Sequence, residues 1–502
     1  MKLSLIPRPM VTDIFEEEES GILSISENFA ITPAKKLEKY VLLIQRDILD
    51  ILNMDVHIKK DDSTENLFIN INPAEFIEAQ SYRIVIDENG IELCGADETG
   101  LFYAIQTFKQ LLLIYGKNLQ YMEIEDEPGY SWRGLHIDVS RHFFPISFLK
   151  KIVNMMALLK LNRFHWHLTD DQGWRIESFK FPNLHETGSC RNEEGQQKAQ
   201  YYTQAEIRDF VKYAEERFIE VVPEIDMPGH TQAMLASYPH LSCSGEVVQV
   251  WDKWGVSEQV LCLGKESTYQ FVEELLEEVI PLFSSPYFHI GGDECPETEW
   301  IKCPHCQKKI EELGLDRFRS LQHHFTHFLG KILKKHSKQL IGWDEIIEGE
   351  LPDNAIVMSW RGDAIDGALF AMKQNRPVIF TPNTSYYFDW KQTILADEQG
   401  AFGVTSLKRV FDYKPLKMLL QKTDIISEQL EELIMGIQAN VWTEYIHNEK
   451  ELEYMLYPRL LAIAEQAWQK GNNEDFEEFH KRVNTFKNMV MDFYEVNYCK
   501  KV

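Results

Sequence analysis

No uninterrupted apolar run in this chain of 502 residues approaches the roughly 18 that a membrane-crossing helix needs. Positive charge is also scarce: 52 Lys and Arg stand against 79 Asp and Glu, a formal charge of -27. Such a surface repels nucleic acid and anionic lipid, so neither is expected as a partner. The opening MKLSLIPRPM is broken by Pro7 and Arg8 and lacks the apolar h-region of a secretory signal, so a cytoplasmic location is expected. Cysteine is sparse, eight in all, and reduced thiols are expected rather than a disulfide framework. One group stands out, Cys303-Pro304-His305-Cys306 with Cys295 upstream. A structural zinc site needs four ligands, and a thioredoxin-like motif should open the first helix of a small βαβ unit. The group therefore reads as thiols capping a helix start. Whether Cys295, Cys303 and Cys306 bind a metal or form a disulfide stays open, and no metal or cofactor is expected. The chain also has no internal repeat and no low-complexity segment.

What is present is organised in two parts. The length exceeds an ordinary domain of about 100 to 200 residues but suits a large barrel with one smaller domain. Residues 1–128 mix strand-like runs (DVHIKK, NLFININ, SYRIVIDENGIELCG) with helical patterns around Lys35 to Leu52 and Glu98 to Tyr115. This predicts an α+β accessory domain with a helix-covered antiparallel sheet. From 129 to 502 the pattern becomes short apolar runs separated by amphipathic helices, as buried parallel strands require. Eight runs are found, at 133–140, 163–168, 221–226, 287–292, 339–345, 356–360, 378–382 and 434–442, with helices predicted at 147–160, 205–217, 267–282 and 317–335. The fold class is α/β, a (β/α)8 TIM barrel preceded by the small α+β domain.

Barrel enzymes carry their chemistry at the C-terminal ends of the strands. Here those positions hold Arg141 and His142; Asp170 and Asp171; Asp226 and His230; Asp293 and Glu294; Trp343, Asp344 and Glu345; Trp360 and Arg361; Tyr387 and Asp389; Trp442 and Glu444. Singly, each could be a helix cap, a core aromatic or a structural ion pair. Together, carboxylates and an Arg that bind vicinal hydroxyls, with indoles that stack on a pyranose, suit a neutral sugar. In most glycosidases two carboxylates flank the scissile bond, about 5 to 9.5 Å apart. Adjacent Asp293 and Glu294 cannot do that job, and they can enter one pocket only if the strand ends there, which Gly291-Gly292 permits. The attacking group must then come from another strand, from water or from the substrate.

FHIGGDE, WRGLHIDVSRHFFP, NRFHWHLTDDQGWR, EIDMPGH, IGWDE, MSWRG, YYFD and ANVWTEY, in this order, resemble glycoside hydrolase family 20, the β-N-acetylhexosaminidases. The resemblance spans nearly the whole chain and implies an exo-acting, retaining hydrolase of terminal β-linked GlcNAc or GalNAc in which the substrate's acetamide is the nucleophile. It implies Glu294 as general acid and base, Asp293 as the group that orients the acetamide N–H and stabilises the oxazolinium-like charge, and Tyr387 as donor to the acetamide oxygen. Arg141, Asp170 and Glu444 would bind sugar hydroxyls, Trp343, Trp360 and Trp442 would wall the ring and acetamide, and Asp389 matches a position near the reacting sugar. Asp226 and His230 would support Glu294. An ordinary retaining glycosidase with Asp226 or Glu444 as nucleophile is the chemical alternative, and a sugar-binding protein on a degenerate barrel another. The expected partner is a small oligosaccharide or glycoconjugate ending in N-acetylhexosamine. The oligomeric state is left open, a homodimer included.

Overall fold

The computed structural model describes all residues except 1–2, 16–19, 28, 34–35, 59–66, 194–195, 396–397, 399, 423–430, 471–473 and 502. Eight parallel strands close into a barrel: Trp132–Asp138, Arg163–His167, Glu220–Glu224, Tyr287–His289, Gln339–Trp343, Ala355–Ser359, Val378–Phe380 and Ile434–Val441. Closure is made by the first strand, which pairs with both the second and the eighth. Each observed strand corresponds to one of the eight apolar runs, because a strand covered by helices outside and filled by side chains inside must be apolar on both faces. Several runs overshoot by one to three residues. The fourth strand ends at His289, not at residue 292; the Ile290 N–H still donates to the Ile341 carbonyl at 2.9 Å and the Trp343 N–H to the Gly291 carbonyl at 3.0 Å, and from Gly292 the backbone bonds to side chains instead.

The predicted helices appear at Ile146–Leu158, Gln204–Glu215, Glu266–Val279 and Arg319–Lys335. The second of these begins with a reciprocal capping box between Thr203 and Glu206. Inside the barrel a separate apolar layer is built from Trp132, Val222, Ile341, Trp343, Ile356, Met358 and Ile379. It is a packed floor, not a pore, and the polar groups described below stand on it.

The amino-terminal sheet has seven strands in the order Val11–Ile14, Met122–Asp126, Tyr82–Asp87, Gly90–Gly95, Leu67–Ile71, Ala30–Pro33 and His57–Ile58. Helices Glu38–Leu52 and Glu98–Tyr115 accompany it. The first four strands pair antiparallel as expected, while the last three join in parallel, so the sheet is mixed. Relative strand direction depends on how the connections run, which no single strand's side-chain pattern encodes. Residues at the end of DVHIKK and the start of NLFININ lie outside the described set. The last strand of this sheet ends at Asp126 and the first barrel strand begins at Trp132, on either side of the division drawn at residue 128. Buried polar contacts join the two parts: Asp126 pairs with Lys160 at 3.1 Å and accepts from the Trp468 indole at 2.7 Å. The barrel is therefore anchored at its N-terminal face, opposite the strand ends that carry the polar set.

Candidate active site

Past His289 the chain turns through Gly291 (φ 67°) and Gly292 (φ 95°), left-handed conformations that favour glycine. Close approach also demands glycine here, since a Cβ on Gly291 would lie 1.7 Å from Asp226 Oδ1. Glu294 is itself left-handed at φ 44°, an uncommon conformation for a residue with a side chain. Beyond the ladder, the alternation that would send neighbouring side chains to opposite faces no longer applies. Asp293 is buried, with Oδ1 lacking a hydrogen-bond partner among the described residues, and Glu294 stands out into solvent with its side chain 45% exposed.

Behind this pair lies His230, also left-handed and buried. Its Nε2 is 3.6 Å from Asp293 Oδ2 and 3.7 Å from Glu294 Oε2, and its Nδ1 is 3.1 Å from Asp170 Oδ1. Although burial disfavours its charge, Asp170, Asp293 and Asp226 lift His230 well above its ordinary value, so it stands as an imidazolium. Asp226 lies fully behind the loop and accepts the Gly292 N–H at 3.0 Å. Burial pushes it up to about 7, against the pull of His230. Burial, then the charge of Asp226, push Asp293 well above the usual carboxylate range, and His230 opposes them. Held behind Gly291 and bonded to the turn, Asp226 has no path to a sugar carbon, which removes it as the alternative nucleophile.

Arg141 is the second cation of the site. Its guanidinium lies 2.8 Å from Asp170, 3.2 Å from Asp138 and 4.0 Å from Glu444, and packs 5.0 Å from the Trp442 ring centre. Burial would raise Asp170, but Arg141 and His230 hold it below its ordinary value. Burial raises Glu444, and Arg141 opposes this. Asp389 is buried, its Oδ1 without a hydrogen-bond partner among the described residues, and is raised by burial and then by Glu444. The aromatic residues form a continuous wall: Trp360 stacks on Tyr387 at 5.9 Å and 13°, Tyr387 meets Trp442 at 6.2 Å, and Trp442 meets Trp343 at 5.8 Å. Burial, and then the charge of Asp293, push the Tyr387 phenol well above its ordinary value. Of the residues singled out from the strand ends, Arg141, Asp170, His230, Asp293, Glu294, Trp360, Tyr387, Asp389, Trp442 and Glu444 thus gather at one mouth. Asp226 lies behind the loop, Asp171 turns to the Gln232 and Ser257 N–H groups, Asp344 pairs with Arg361 at 2.7 Å, His142 bonds to Thr443, and Trp343 sits lowest, fully buried with its indole donating to Glu224 at 2.9 Å.

Glu224 was absorbed into the apolar run VVPEID, and it organises the layer beneath. Its carboxylate is 2.7 Å from His167, 2.9 Å from His165 and 3.1 Å from His289. His167 passes the contact on, with Nε2 2.9 Å from Asp170. Glu224 and Asp170 raise His167 to about 10 despite burial, whereas burial lowers His165 to about 4. Charge therefore alternates from Glu224 through His167 and Asp170 to His230 and the pair Asp293 and Glu294. The period-two spacing of His165 and His167 in FHWH was the available signal that both face inward. Glu345 is a further group at the mouth, pushed up to about 8 by burial and then by Asp344, and accepting from the Trp360 indole at 3.0 Å. The segment after Asp389 folds in part as Trp390–Lys391 paired with Ala401–Val404, held where Arg459 donates to the carbonyls of Phe388, Trp390 and Thr405.

Comparison with known proteins matches residues 130–471 to the catalytic domain of glycosyl hydrolase family 20 and residues 2–127 to domain 2 of the same family. A β-hexosaminidase of Porphyromonas gingivalis is 38% identical over 99% of this chain, which spans 64% of that protein's length. A β-hexosaminidase of Vibrio furnissii is 32% identical over 92% of this chain and 76% of that protein. Among solved structures, the exo β-N-acetylglucosaminidase of Vibrio harveyi in complex with N-acetylglucosamine superposes with a TM-score of 0.87 at 28% identity, covering 99% of this chain and 78% of that one.

Proposed function

The chain belongs to glycosyl hydrolase family 20, and from that premise we propose that it is an exo-acting, retaining β-N-acetylhexosaminidase that removes terminal β-linked GlcNAc or GalNAc by substrate-assisted catalysis. The observation that carries this reading is the buried Asp293, with one oxygen unpartnered, beside the exposed Glu294 at a single strand end. A pair so placed can clamp and protonate but cannot attack from two faces.

In the first step the acetamide oxygen attacks C1, the glycosidic bond breaks, and the Glu294 carboxyl passes its proton to the leaving oxygen. Asp293 accepts the acetamide N–H and faces the positive charge that develops on the ring, and Tyr387 donates to the acetamide oxygen. A positive group set against Asp293 offsets the burial that raises it, so its full charge is matched to the intermediate rather than to the neutral substrate. In the second step Glu294, now ionised, takes a proton from water as that water attacks C1. Two inversions give net retention. An internal nucleophile held near attack geometry can reach an effective molarity of about 10⁵ M or more, enough to replace an enzymic nucleophile. Arg141, Asp170 and Glu444 form a charged rim suited to sugar hydroxyls, and the indole and phenol wall encloses the acetamide.

The test compares aryl glycosides with a 2-acetamido or a 2-hydroxyl group. The 2-hydroxyl sugar should turn over very poorly and a stable thiazoline mimic of the cyclised intermediate should inhibit strongly. Equal turnover of both sugars would assign the nucleophile to the protein.

A further inference from the structure

The cysteine pair of the C-x-x-C is completed in space by two cysteines far upstream, and Cys295 is not among them. The sulfurs of Cys243, Cys262, Cys303 and Cys306 all lie within 4.8 Å of one another. Cys262 is 3.7 Å from Cys303 and 3.7 Å from Cys306, and Cys243 is 3.9 Å from Cys306. A tetrahedral zinc with Zn–S bonds of about 2.3 Å has sulfur–sulfur edges of about 3.8 Å. A disulfide would need about 2.05 Å, so the group is not a pair of bridges. Cys262, Cys303 and Cys306 are buried and Cys243 half-buried, and all four are free thiols.

We propose that these four cysteines bind one structural zinc ion. Four thiolates with no open position make a closed site, which holds chain segments together rather than activating water. The segments are the loops after the third and fourth barrel strands. Cys243 and Cys262 belong to the loop that carries Asp226 and His230. Cys303 precedes helix Pro304–Leu313 and Cys306 lies in its first turn, at the far end of the loop that carries Asp293 and Glu294. The two loops are already fitted to each other around the sulfurs: the Trp300 indole donates to the Leu261 carbonyl at 2.9 Å, and a Cβ on Gly264 would lie 2.3 Å from the Cys306 nitrogen. Lys265 donates to the Ser242 carbonyl at 2.6 Å and so fixes the residue before Cys243. The zinc would thus splice the two loops whose near ends supply the general acid and its support. The expectation of thiols capping a helix weighed only neighbours in sequence; the other two cysteines of the group lie 41 and 60 residues before Cys303, outside any local motif.

The test is elemental analysis of the full chain purified under reducing conditions from zinc-supplemented medium. About one zinc per chain is expected, released in a single step as a mercurial titrates four thiols, with a fall in thermal midpoint. Exchange with Co(II) should give the intense visible absorption of a tetrahedral thiolate site. The double variant Cys303→Ser, Cys306→Ser should lose the metal and Cys295→Ser should keep it. Because the parent protein and its cobalt form are read directly, a variant that does not fold leaves the answer intact. Folded parent protein without zinc, zinc retained by the double variant, or a mapped disulfide among the four would overturn the proposal.

Discussion

Replacing Glu294 with Gln separates chemistry from folding unusually well. The side chain is 45% exposed and lies 3.7 Å from His230. The amide keeps the volume and strands no buried charge, so stability should change by no more than about 0.5 kcal/mol. Loss of a general acid costs about 10² to 10⁴ in rate, equivalent to about 2.7 to 5.4 kcal/mol of barrier. That loss must depend on the leaving group. A disaccharide, whose departing sugar oxygen needs a proton, should show the full fall in kcat/KM, and a methylumbelliferyl glycoside, with its more acidic phenol, a smaller one. A dinitrophenyl glycoside departs without help, so its kcat/KM, which reports the first irreversible step, should stay within about tenfold of the parent. Its kcat should fall further, because the same residue is needed as base when water attacks. The assay is steady-state kinetics on the leaving-group series with a thermal midpoint for each protein. Equal losses in kcat/KM across the series at unchanged midpoint would refute the role of Glu294 as acid.

Two further outcomes follow from the loop behind it. Gly291→Ala places a Cβ 1.7 Å from Asp226 Oδ1 at φ 67°, so stability should drop by at least about 1 to 3 kcal/mol, with kcat falling as the catalytic pair is displaced; an unchanged thermal midpoint and kcat would contradict the turn described here. Asp226, raised from its ordinary value to about 7, is stabilising when protonated: its contribution is complete below pH about 4 and lost as pH rises through about 7, up to about 4 kcal/mol. Asp226→Asn should therefore lose less stability than the parent between pH 4 and 7 in denaturant midpoints, and parallel curves would count against the assignment.

The barrel was legible because its strands are buried on both faces and so read as contiguous apolar runs, and because the residue after each run is where a strand end must point. The same logic hid Glu224. Inside a run it looks like part of the strand, and its partners His165, His167 and His289 come from two other strands. Only the parallel pairing of the second, third and fourth strands brings them together. The mixed amino-terminal sheet escaped for a related reason, since strand direction is a property of connections. The cysteine quartet shows the limit most plainly: proximity along the chain put Cys295 forward, whereas folding chose Cys243 and Cys262.

The charge alternation beneath the mouth also governs how this enzyme can diverge. Glu224, His167, Asp170 and His230 each neutralise their neighbours, so a single replacement strands a buried partner at a cost of about 3 to 5 kcal/mol. Substitutions there are bound to be epistatic, tolerated in concert or not at all. The Trp390 and Ala401 strands lie outside that circuit, and their connecting loop exposes Ile394. New glycan preferences should therefore accumulate at this rim while the ladder below is inherited unchanged, and a mutational library for altered specificity belongs there.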